Sequence, residues 1–152
     1  MADSPRETPS NKKIFSPNGK FFALLDAAHK TTTVYRAGRP GGKLWEMPGW
    51  HAATFLANDG DHLVIGYEGI NLLELDTKAD EPMITLYNRA KKVCIVQLDK
   101  LIKDRSKLMR TDSHVVWGDY LGFNRQGDFL VRTGDGTTYV LSHEGQLRSL
   151  KK

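Results

Sequence analysis

The chain has 152 residues, enough for one domain with a sizeable core and no covalent staples. Apolar residues make up 39% and charged residues 26%, which excludes wholesale disorder. The net charge is +4, but Lys and Arg interleave with 18 acidic residues, which argues against a specific nucleic-acid surface.

The start, Met1 to Asn11, is polar and Pro-containing, so residues 1–13 are expected to be frayed. Residues 14–150 are expected to form a single mostly-β domain of antiparallel meanders. Its first unit runs Phe15-Ser-Pro-Asn-Gly19-Lys, Phe21-Phe-Ala-Leu-Leu25, Thr31-Thr-Thr-Val-Tyr35 and Gly42-Lys-Leu44. Val, Thr, Tyr and Phe fill the runs, as strands prefer, and Asn18-Gly19 supplies a tight turn.

Leu44-Trp45-Glu46-Met47-Pro48-Gly49-Trp50-His51 follows, and Pro48-Gly49 is a strong turn signal that predicts a connection. The second unit starts at Phe55, turns at Asp59-Gly60, and continues through His62-Leu-Val-Ile65 and Ile70-Asn-Leu-Leu73. Phe15 and Phe55 are 40 residues apart, whereas Phe55 and Phe123 are 68 apart, so an insertion is expected at about 83–112.

Within that insertion, Met83–Tyr87 and Lys92–Gln97 read as a hairpin. Leu98, Leu101, Ile102, Leu108 and Met109 give an apolar stripe at helical spacing, and the spacing predicts a helix over 98–104 at least. Its basic residues, Lys100, Lys103, Arg105, Lys107 and Arg110, are broken by Asp104 and read as a solvated face. The single cysteine, Cys94, cannot form an intramolecular disulfide; it lies in an apolar run and reads as an inert, buried thiol.

The third unit runs Phe123-Asn-Arg-Gln-Gly127-Asp128, Phe129-Leu-Val131, Thr137-Thr-Tyr-Val-Leu141 and Gly145-Gln-Leu147. Phe21, Leu63 and Phe129 are expected at equivalent places in the three units. No apolar run approaches the roughly 18–20 residues of a membrane-spanning helix.

Candidate chemistry is sparse. The five histidines form no H-x-H, H-x-x-x-H or H-E-x-x-H pair. Gly-x-Ser-x-Gly is absent, and Gly66-Tyr-Glu-Gly69 and Gly134-Asp-Gly136 read as hairpin turns, not phosphate loops. Asp59-Gly-Asp61 and Asp76-x-x-x-Asp80-Glu81 lack a twelve-residue calcium loop. The segment to watch is Trp50-His51 together with Ser113-His114-Val-Val-Trp117, because both enter a repeat and should emerge at one end of the array. Trp50, His51, His114 and Trp117 are therefore the candidate ligand-binding residues, with no catalytic or metal residue and no cofactor assigned.

Phe15-Ser-Pro-Asn-Gly-Lys and its equivalents resemble a blade of the β-propeller proteins, in the broad WD-repeat-like or YVTN-like sense, although no Gly-His…Trp-Asp pair is present. Through Leu44–His51 and Ser113–Gly118, residues 14 to about 147 also resemble small bacterial proteins, many with export leaders, to which no activity is assigned. The resemblance implies a periplasmic or secreted location, with a cytoplasmic one as the alternative. Three blades are too few to close a ring, since closed propellers usually have about 4–8. The units could form a partial propeller, a sandwich or a partial barrel, or two chains could complete one ring as a homodimer. The expected function is a non-catalytic module binding a protein or small-molecule ligand. The alternative is a metal-dependent or hydrolase-like enzyme using His51 and His114.

Overall fold

The computed structural model describes residues 8–38 and 41–150. In chain order the elements are β1 (Lys12–Phe15), β2 (Phe21–Asp26), β3 (Thr31–Arg36), β4 (Gly42–Pro48), β5 (Thr54–Leu56), β6 (His62–Gly66), β7 (Leu72–Glu74), β8 (Pro82–Asn88) and β9 (Lys91–Gln97). A single helical turn, α1 (Leu98–Leu101), and a 3-10 turn at Arg105–Lys107 lead to β10 (Met109–Arg110) and β11 (His114–Val116). The chain ends in β12 (Gly118–Phe123), β13 (Phe129–Thr133), β14 (Thr138–Leu141) and β15 (Leu147–Leu150).

Among the described residues the strands form four antiparallel sheets and no closed barrel. Three are four-stranded meanders, β1-β2-β3-β4, β5-β6-β8-β9 and β12-β13-β14-β15, and the fourth is a small sheet ordered β10-β11-β7. The mostly-β expectation holds. Each meander opens with the same hairpin. The carbonyls of Ser16, Ala57 and Asn124 accept from the N–H of Gly19, Gly60 and Gly127, which stand at φ of +72°, +71° and +86°. Only a residue without Cβ adopts that backbone cheaply, which is why Gly recurs there.

Register refines the sequence reading by one residue. Phe15 faces Phe22, Leu56 faces Leu63, and Phe123 faces Phe129. The equivalent anchor in the second meander is therefore Leu56 rather than Phe55, and in the first the equivalent of Leu63 is Phe22 rather than Phe21. A one-residue slip flips a side chain to the other face. Leu56 accordingly packs with Trp45 and Met47 toward the first meander. Phe55 packs toward the third, with ring centroids 5.6 Å from Tyr120 and 5.1 Å from Phe129.

The insertion does not lie at 83–112. The β8–β9 hairpin completes the second meander, β8 pairing with β6 along His62–Gly66. The expected third strand, Ile70–Leu73, leaves instead: β7 pairs with β11. The reason is burial. β8 offers Met83, Ile84 and Leu86, all at most 1% exposed, over a seven-residue strand, whereas β7 offers three residues. The two excursions from the meanders are thus the segment carrying β7 and the segment from α1 through β11.

The helix is shorter than its stripe. Leu98, Leu101 and Ile102 are all buried, but Ile102 is already extended at φ −116°, ψ 114°. Asp104 then accepts from the Ser106 N–H and starts the 3-10 turn, a local side-chain bond that competes with helix. Met109, expected on the apolar stripe, lies in β10 and is 72% exposed. At the N-terminus, Lys12 and Lys13 are paired in β1 rather than frayed, and the part of that expectation covering residues 1–7 lies outside the described residues.

Two buried clusters follow from this stacking. Ala23, Val34, Trp45 and Met47 of the first meander meet Leu56 and Leu63 of the second. Val64, Ile84, Leu86 and Val96 of the second meet Phe123, Phe129, Val131 and Leu141 of the third, together with Leu73, Leu101 and Trp117 from the excursions. The second meander is therefore covered on both faces.

Tyr120 pins the second junction. Its hydroxyl accepts from the Tyr67 N–H at 2.6 Å and donates to the Met83 carbonyl at 2.5 Å. Its ring lies over Gly66, where a Cβ would stand 2.7 Å from Cζ, so any larger residue would push the ring away. Burial pushes the Tyr120 phenol well above its ordinary range, so it stays protonated and able to donate. Tyr120→Phe would strand two buried backbone groups and is expected to lower unfolding free energy by about 1–3 kcal/mol in urea titration. Leu101→Ala, at a fully buried position, is expected to cost about 2–5 kcal/mol by the same measurement.

Candidate functional site

The structure distributes the four nominated residues. Trp50 and His51 lie in the connection between β4 and β5, as the Pro48-Gly49 signal predicted. The Trp50 indole N–H donates to the Ser10 carbonyl at 2.7 Å, and Lys12 Nζ stands 5.7 Å from the ring centroid. Trp50 thus ties the connection to the chain just before β1.

Trp117 is fully buried. Its indole N–H donates to the Ile70 carbonyl at 2.5 Å, and its ring meets Tyr120 edge-on at 5.0 Å. It is a core residue that fastens the β6–β7 excursion, and a ligand arriving from solvent cannot touch it.

His51 is half-buried and lines a cleft of about 500 Å³. The walls come from three places: Ile65 to Glu68 at the end of β6, Glu74 at the end of β7 with Asp76 to Lys78 after it, and Glu81, Pro82, Thr85 and Tyr87 along β8. Four carboxylates, Glu68, Glu74, Asp76 and Glu81, face one lysine, Lys78, with Tyr67, Tyr87, Thr77 and Thr85 supplying neutral surface. A chain with net charge +4 thereby presents a locally anionic recess.

His114 does not line this cleft, but it stands next to it. Its cross-strand partner in β11–β7 is Glu74, so the two side chains share one face of the small sheet. His114 Nδ1 is 2.8 Å from Ser113 Oγ, a contact between sequence neighbours. The structure therefore brings His51 and Glu74 to one cleft and leaves His114 one strand away.

The convergence of the four carboxylates on one recess is not legible in the sequence. Asp76 and Glu81 were visible as an acidic turn, but Glu68 and Glu74 join them only because β7 leaves the second meander. Among the described residues, no group of three or more His, Cys, Asp or Glu side chains is placed to hold a metal ion. No helix among the described residues is long and apolar enough to cross a membrane.

Burial holds the His51 imidazole below its ordinary value, and the Glu68 carboxylate pulls it part of the way back. His51 is thus neutral at pH 7 and adds no positive charge to the cleft. Its folded pKa lies below its unfolded one, so its contribution to stability is full above about pH 6.5 and is lost as pH falls through the lowered value. In an NMR titration its midpoint is expected below about 6.5, and Glu68→Gln is expected to lower it further.

No family model matches the chain, and no curated protein matches it.

Proposed function

We propose that the chain is a non-catalytic binding module whose ligand seat is the anionic cleft beside His51. The observation that carries this reading is the cleft itself, with four carboxylates against a single lysine in about 500 Å³. That volume falls in the range of small-ligand and side-chain pockets, roughly 300–1,000 Å³. The charge favours a cationic occupant, a basic peptide side chain or a small amine. Tyr67, Tyr87, Thr77 and Thr85 line the same recess and add neutral surface beside the carboxylates. A neutral His51 accepts a hydrogen bond there without repelling the ligand.

The enzymatic alternative needs His51 and His114 to act on one reacting centre. His51 lines the cleft and His114, beside Glu74 on the neighbouring strand, does not, an arrangement better suited to recognition than to joint action on one centre. The resemblance to exported bacterial proteins supports a periplasmic or secreted setting for the module.

The test is NMR titration with a short peptide containing arginine and lysine. Shifts are expected at His51, Glu68, Glu74, Asp76 and Glu81. Affinity is expected to fall with added salt, because exposed charges are screened within about 8 Å at physiological ionic strength. Glu74→Gln combined with Asp76→Asn is expected to weaken binding about tenfold or more. Equal binding of an acidic peptide, or shifts confined to other surfaces, would overturn the reading.

A further inference from the structure

The basic stretch after β9 takes no part in the cleft beside His51. As one continuous helix it would spread its charges, because residues five apart stand about 140° from each other around a helix axis. The chain does not continue as a helix. Ile102 is already extended, the 3-10 turn begins at Arg105, and Arg110 lies in β10. The break carries Arg105 and Arg110 to one recess of about 260 Å³, which Leu75, Ser106 and Val115 complete.

The small sheet gives this recess an aliphatic side. Arg110 stands opposite Val115 in the β10–β11 pair, so the two side chains share one face, and Val115 is 6% exposed. Leu75 follows β7 and is 43% exposed. Its neighbours Glu74 and Asp76 line the anionic cleft instead. One short segment thus sends its carboxylates to one recess and its leucine to the other.

The charge in this second recess is unanswered. Among the described residues, neither the Arg105 nor the Arg110 guanidinium is held by a hydrogen bond or an ion pair. Asp104, the carboxylate next in sequence, is engaged elsewhere: it accepts from the Ser106 N–H at 3.0 Å and from the Ser106 hydroxyl at 2.6 Å. Arg105 is half-buried, so its charge is partly withdrawn from water with no anion supplied by these neighbours.

We propose that this recess binds a small organic oxyanion joined to a short aliphatic chain, a carboxylate or a phosphate monoester. Two guanidinium forks supply N–H donors matched to such oxygens. Leu75 and Val115 supply contact for the carbons next to the head group. The volume lies below the roughly 300 Å³ at which drug-sized pockets begin, so the occupant is small. This inference is independent of the cleft reading, since it uses other residues and the opposite charge.

NMR titration of the full chain with hexanoate tests it. Saturable shifts are expected at Leu75, Arg105, Ser106, Arg110 and Val115, and not at His51 or Glu68. Acetate has the head group without the chain and is expected to bind about tenfold more weakly. Hexyl phosphate in place of hexanoate separates the two sources, the tighter of the pair naming the head group. Arg105→Gln combined with Arg110→Gln is expected to weaken binding about tenfold or more, with the fold unchanged by circular dichroism, because neither side chain is buried in a core. Arg110→Lys keeps the charge, loses the fork and is expected to fall between. No saturable shift with either acid, shifts spread over lysines elsewhere, equal binding of acetate, or undiminished binding by the double variant would each overturn the proposal.

Discussion

Everything in this structure hangs on the second meander being covered on both faces at once. Its strands bury residues toward both neighbours, Leu56 and Leu63 toward the first meander and Val64, Ile84 and Leu86 toward the third. The Tyr120 hydroxyl secures the arrangement from one side by bridging the Tyr67 N–H and the Met83 carbonyl, the end of β6 and the start of β8. Trp45 secures it from the other, its indole N–H donating to the Gly60 carbonyl at 2.8 Å in the opening turn of the second meander. Two aromatic donors from the flanking meanders thus fix the central one by its backbone, where side-chain repacking cannot loosen them.

The recess beside His51 is a by-product of the same constraint. Because β8 takes the place beside β6, the chain between them must leave the sheet and return. The excursion carries Glu74, Asp76, Thr77 and Lys78 to one wall, while β6 and β8 form the others. Trp117 and Val115 hold the small sheet against the main core from beneath, so the excursion is anchored at both ends. An anionic recess on a basic chain is therefore produced by strand competition, not by a local motif.

Local signals were legible in the sequence and long-range choices were not. The hairpin turns at Gly19, Gly60 and Gly127, the strand runs after them and the Pro48-Gly49 connection all follow from residue chemistry within five or six positions. Which strand joins β6 does not, because Ile70–Leu73 and Met83–Tyr87 both read as plausible strands and only total burial decides between them. The same ambiguity hid the shift from Phe55 to Leu56, since adjacent apolar residues do not announce which faces which way. The short helix failed for a different reason: the stripe from Leu98 to Met109 ignored Asp104, whose side chain captures a backbone N–H and ends the helical path. At the site, His51 was found through its turn, whereas Glu68 and Glu74 had no signal beyond an acidic bias between residues 68 and 81.

The serial stacking of the meanders has a consequence for how the molecule opens. Outer meanders each share one buried cluster, and the middle one shares two. Opening energies in such an array rise toward its centre, because releasing the middle unit breaks both junctions together. Amide hydrogens of β6 and β8 should thus exchange only through global unfolding, while those of β4 and β15, at the free edges of the flanking sheets, exchange through small local openings. The molecule would come apart from its outer edges inward, with the middle meander the last region to admit water.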